Sequence, residues 1–197
     1  NTWDLYTLTA AGKTVFIDVS ATWCGPCWNY HNTHALRDIY DQYGPTGTIV
    51  PGEIMVFFIE GDAATTLADL NGTGGNTQGD WVTGTTYPII DPGAQTNTFN
   101  SNYAIGYFPT VYKVCPDNKI YEVGQANAQG LLNSINSCTF AVDAYPSAGP
   151  AMSCSTTFAP VIEITNNGQS TMTSLTITYA YDAGAPATYN WTGSLAA

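Results

Sequence analysis

The 197-residue chain sets four Lys and Arg against fifteen Asp and Glu, a net charge of −11. Such a chain repels phosphate backbones and anionic headgroups, which argues against nucleic acid or a membrane surface as partner. Charged residues make up only 10% and apolar residues 44%. A packed core is expected under an uncharged polar surface, a style common in secreted proteins.

No run of eighteen apolar residues exists, so no membrane span is expected. The start at Asn1, without a signal peptide, reads as a mature protein or an excised piece. In chain order, residues 3–11 read as a short helix stopped by Gly12. Residues 14–21, TVFIDVSA, are a buried strand. From Cys27 to about Tyr43, residues near helical spacing predict one helix, ended by Gly44 and Pro45. Residues 53–60 are a second buried strand, and 62–70 a helix with Asp62 as its N-cap. A Gly, Thr and Asn-rich loop covers 71–86, a short extended piece 87–92 and a short helix 96–105. Residues 109–114 and 120–124 pair as a hairpin about the turn 116–119. Asn127 caps a closing helix over 127–136.

Beyond Cys138 the texture changes. A Pro, Ala and Ser-rich linker leads to alternating β segments at 158–168 and 172–184, around an Asn-Asn-Gly turn, and a third strand at 187–193. The domains expected are 1–140 and 141–197. The latter opens a β-sandwich, which needs about 100 residues, so a longer native chain is expected.

The stretch WCGPC carries the chemistry. Cys24 and Cys27 follow a buried strand and open a helix. Unpaired N–H groups and the helix dipole there favour a thiolate at Cys24. Cys27, one turn in, is placed to resolve a mixed disulfide. Pro26 stiffens the first turn without losing a needed N–H. His31 and His34 share roughly one helical face with Cys27, but two turns separate Cys24 from His34, so no metal site is expected. No cofactor is expected either.

WCGPC after an apolar strand, with FPT some 80 residues later, resembles the thioredoxin fold. The longer insertion YPIIDP…YAIGYFPT resembles the extracytoplasmic TlpA/ResA type, as found in secreted or outer-membrane-associated multidomain bacterial proteins. The resemblance covers residues 1 to about 138. It implies an α/β fold, a central mixed sheet flanked by helices, followed here by the incomplete Ig-like β-sandwich. It also implies a thiol–disulfide oxidoreductase acting outside the cytoplasm on protein thiols and disulfides, with an electron-donor protein that the sequence does not identify. Cys24 would attack, Cys27 resolve and Asp18, six residues before Cys24, accept the proton. Pro109 would be cis beside the disulfide, and Trp23, Gly25, Pro26 and Phe108 would line a peptide groove with it. In that fold Cys115 and Cys138 can meet at one edge as a structural disulfide, Cys138–Cys154 being the competing pair. The alternative function is a redox-inert binding or adhesion module, for which a deeply buried Cys24 would speak.

Overall fold

The computed structural model describes residues 3–138, 144–148, 163–166, 170–179 and 185–196. The chain divides into two compact units, Asn1–Cys138 and Thr139–Ala197.

The first unit is built on β1, Thr14–Ser20, whose seven residues are all buried. A strand of β-branched and apolar residues with no solvated face belongs in the middle of a sheet. It lies there. β2 (Ile54–Glu60) pairs with it in parallel and β4 (Thr110–Val114) antiparallel. The two-residue β3 (Ile89–Ile90) extends β2 in parallel, and β5 (Ile120–Glu122) closes the hairpin with β4. The order β3-β2-β1-β4-β5 is a central mixed sheet, the thioredoxin-like arrangement expected.

Alternation along the strands divides the core into two layers. Phe16, Val56 and Phe58 face one side, where Tyr30, Leu36, Ile39 and Leu131 pack. These come from α2 (Gly25–His31), α3 (Ala35–Tyr43) and α6 (Ala128–Ile135). Val15, Ile17, Val19 and Phe57 face the other, against Leu5 and Leu8 of α1 (Leu5–Ala10) and Phe99 of α5 (Thr96–Asn102). Asn127 caps α6 as expected, its side chain accepting from the Gly130 N–H.

Three elements depart from expectation. The helix predicted over 27–43 is two, separated at Asn32–His34, with His34 at φ 61°. Asn32 Nδ2 donates to the Trp28 carbonyl and Thr33 Oγ1 to that of Tyr30, both at 2.7 Å. Side chains thus occupy the carbonyls at the end of α2, the local competition that makes Asn and Thr poor helix continuers. The helix predicted over 62–70 is only α4, Leu67–Leu70, and Thr66 with Asp69 forms its capping box. Asp62 instead holds a turn, accepting from the Ala64 N–H at 2.8 Å. The third departure is in the second unit. The predicted linker contains β6 (Ala144–Ala148), paired antiparallel with β7 (Glu163–Asn166). β8 (Met172–Tyr179) pairs with β9 (Ala187–Leu195), so the β-hairpin partner of β8 is the following strand. These ladders fit part of a β-sandwich. Most of the Asn-Asn-Gly turn, and Cys154, lie outside the described residues.

Candidate active site around Cys24 and Cys27

β1 delivers the chain directly to the cysteine pair. Cys24 is the N-cap of α2, and its Sγ accepts from the Cys27 N–H at 3.2 Å. Pro26 occupies the first turn, where its missing N–H leaves no gap in the helix. Cys24 and Cys27 are joined as a disulfide. Cys24 is 5% exposed and Cys27 fully buried. Cys24 nevertheless lines an open depression of ≈ 570 Å³, together with Trp23, Gly25, Pro26, Ile105 and Phe108.

Trp23 is 42% exposed and packs edge-to-face on Phe108, with ring centroids 6.2 Å apart. Its indole N–H donates to Asp62 Oδ2 at 2.7 Å. The Phe108 ring in turn lies over Gly61, where a Cβ would come within 2.3 Å of a ring carbon. The Phe108–Pro109 peptide bond is cis. Pro109 is buried at the head of β4, behind the depression rather than on its lining.

Asp18 is 1% exposed. By alternation its side chain lies on the face of β1 that carries Phe16, the face packed by Cys27 and Tyr30. Ser20 Oγ donates to Asp18 Oδ1 at 2.6 Å, while Oδ2 has no partner. Burial raises the carboxyl to about 7, against the lowering effect of the Ser20 hydrogen bond. Desolvation first, and the nearby Asp18 second, also push the Tyr30 phenol upward. Its hydroxyl donates to the Ala126 carbonyl at 2.9 Å.

The structure therefore brings Trp23, Cys24, Gly25, Pro26 and Phe108 to one depression, with Cys27 and Asp18 beneath. Cys115 and Cys138 meet at the other end of the domain as a second disulfide spanning 23 residues.

Sequence reasoning missed a second buried acid, Glu60. It faces Ser20 across the β1–β2 ladder and is fully buried, with Oε2 unpartnered. Burial pushes it up to about 7, opposed by hydrogen bonds from Asp62 and Thr65. Its signal was an acid ending an otherwise apolar strand. Tyr107 and Ile105, also lining the depression, gave no local signal. His31 stacks on Trp28 at 5.6 Å and leans on buried Trp81 at 4.9 Å. Desolvation, then His34 and Arg37, lower it to about 4. Trp81 and Tyr87 of the insertion are core residues.

No family model and no curated protein matches the chain. Solved structures do. The thioredoxin domain of a thiol-disulfide oxidoreductase from Bacteroides vulgatus is similar at 18% identity, over 69% of this chain and 84% of that one, with TM-score 0.48. A thiol:disulfide interchange protein from Bacteroides sp. is similar at 15% identity, over 69% and 78%, with TM-score 0.45. StoA from Bacillus subtilis is similar at 13% identity, over 62% and 81%, with TM-score 0.46.

Proposed function

We propose that the protein is a thiol–disulfide oxidoreductase that works outside the cytoplasm on protein disulfides. The observation carrying this reading is the Cys24–Cys27 disulfide at the start of α2, beside a depression lined by Trp23, Pro26 and Phe108. In the dithiol form, N–H groups at the helix start favour the Cys24 thiolate. That sulfur bonds to one sulfur of a substrate disulfide, the substrate S–S bond breaks and a first thiolate leaves. Cys27 then loses its proton and bonds to Cys24, displacing the second thiolate. The substrate gains two electrons and the cysteine pair loses them. The protons given up by the pair balance those taken by the released thiols.

Asp18 is the acceptor we assign to the Cys27 proton. A carboxyl near 7 in the buried layer shared with Cys27 both accepts and returns a proton at neutral pH. Phe108, packed beside Trp23, forms the wall that an extended substrate segment lies along, and buried Pro109 supports it from behind. The second disulfide, Cys115–Cys138, favours an oxidising compartment. Repeated reduction there needs a dithiol protein as electron donor.

A second reading is favoured by one observation: Cys24 is only 5% exposed. A pair that cannot be reached would belong to a redox-inert binding or adhesion module. Equilibration of Cys24–Cys27 with a dithiothreitol series, with Cys24→Ser as control, separates the two. A potential near about −270 mV marks a reductase and one near about −120 mV an oxidant. Resistance below about −300 mV marks a structural bond and overturns the enzyme reading.

A further inference from the structure

We infer that the depression over Cys24 takes a positively charged partner, a disulfide-bearing segment with apolar residues at its cystine and Lys or Arg on either side. This rests on the oxidoreductase reading above and specifies its substrate class.

The floor is apolar. Trp23, Pro26, Ile105 and Phe108 supply most of it, and no Lys, Arg or His lines it among the described residues. The rim is acidic on two sides. On the helix side Trp23 holds Asp62 through its indole N–H. On the loop side Tyr107, another lining residue, donates its hydroxyl to Glu122. An apolar centre inside a charged rim is the anatomy of a protein-recognition surface.

The sheet directions explain why no cation offsets this rim. β1, β2 and β3 are parallel, so their C-terminal ends share one edge of the sheet. Cys24 follows β1 at that edge, Asp62 follows β2 and Asp91 follows β3. Lys13 precedes β1 and donates to the Gly52 carbonyl at the opposite edge, about 23 Å away for a seven-residue strand. β4 runs the other way, with Val114 opposite Val15, so Lys119 in the following turn is also at the far edge, paired with Asp117 at 2.9 Å. Lys113 pairs with Phe16 and is buried, donating to the Ser134 carbonyl and Ser137 Oγ. Arg37, on α3, lies 3.6 Å from Asp38. These are the chain's four Lys and Arg residues. Three are spent at or toward the far edge and the fourth stands beside an acid. A field of one sign at the site attracts cationic segments and repels acidic ones, which sets encounter rate and partner choice more than contact energy.

The test uses three peptides with an internal disulfide, identical except that Lys, Gln or Glu flanks the cystine. The full chain is brought to the Cys24–Cys27 dithiol with a limiting small dithiol, and single-turnover rates are read from Trp fluorescence. Expected is Lys faster than Gln faster than Glu, by about tenfold per step at low salt. The spread collapses in about 0.5 M salt and in the double variant Asp62→Asn, Glu122→Gln. Equal rates for all three peptides, a reversed order, or an order indifferent to salt and to the double variant overturns the inference while leaving the oxidoreductase reading standing. No reduction of any of the three peptides overturns both.

Discussion

Ser20 holds Asp18 from two positions along the same strand, its hydroxyl 2.6 Å from Oδ1, and the other carboxylate oxygen is left without a partner. The one hydrogen bond lowers the Asp18 pKa while burial raises it, and burial prevails. Removing the hydroxyl in Ser20→Ala is therefore expected to move Asp18 further up from about 7. Carboxyl chemical shifts followed against pH check this, and an unchanged or lower midpoint contradicts it.

The same shift has a thermodynamic counterpart. Asp18 binds its proton more tightly folded than unfolded, where its value is 3.8. Between those values the folded state holds the extra proton, so stability falls as pH rises from about 4 to about 7 and then levels off. Asp18→Asn removes that loss. The variant should exceed the parent in stability by up to about 4 kcal/mol above pH 7, with the gain fading toward pH 4. Urea unfolding across this range decides it; a pH-independent difference would sink the assignment.

His31 carries the opposite slope. Its folded value, lowered to about 4, lies below the ordinary 6.5 because desolvation against Trp28 and Trp81 disfavours the charged ring. The unfolded chain then binds the extra proton between those values, so stability is lost as pH falls from about 6.5 to about 4. His31→Phe should flatten this limb specifically. Thermal unfolding of parent and variant at pH 7 and pH 4.5 gives the comparison.

Gly61 is the point at which backbone and groove wall meet. A Cβ there would stand 2.3 Å from the Phe108 ring. Gly61→Ala should cost about 1–3 kcal/mol through overpacking. It should also slow reduction of a peptide disulfide more than that of a small soluble disulfide, since only the peptide needs the wall. Equal slowing of both would show that Phe108 does not contact substrate.

The Cys115–Cys138 bond closes 23 residues holding β5 and α6. Replacing both cysteines by Ser should cost about 3 kcal/mol in the chain-entropy account. The potential of Cys24–Cys27 should stay unchanged, because the two bonds stand at opposite ends of the sheet. Denaturant midpoints and a redox titration test the two halves separately.

What composition and spacing could show was local; the cis Pro109 and the Cys115–Cys138 pair were legible only through the resemblance. β1 announces itself as an apolar, β-branched run, α6 by Asn127 at its cap, and the site by four residues in a row, Cys24 to Cys27. What could not be read depends on partners distant along the chain. Asp62 reaches Trp23 across 39 positions and Tyr107 reaches Glu122 across 15. Glu60 is hidden by the same cause: a terminal acid on a strand looks solvated until other elements cover it. The break after α2 turns on Asn32 and Thr33 folding back onto carbonyls, which apolar spacing does not register. β6 escaped because Pro and small residues mimic a linker, and only pairing with β7 makes it a strand.

β1 is covered along its whole length and on both faces. Asp18, 1% exposed, meets bulk solvent only when neighbouring side chains shift or the sheet briefly parts. How fast Asp18 changes charge is then a matter of time rather than of affinity. In the role proposed for Asp18, a turn of the Cys24–Cys27 couple that ends with that proton returned to solvent would wait on an opening of the layer that covers the central strand.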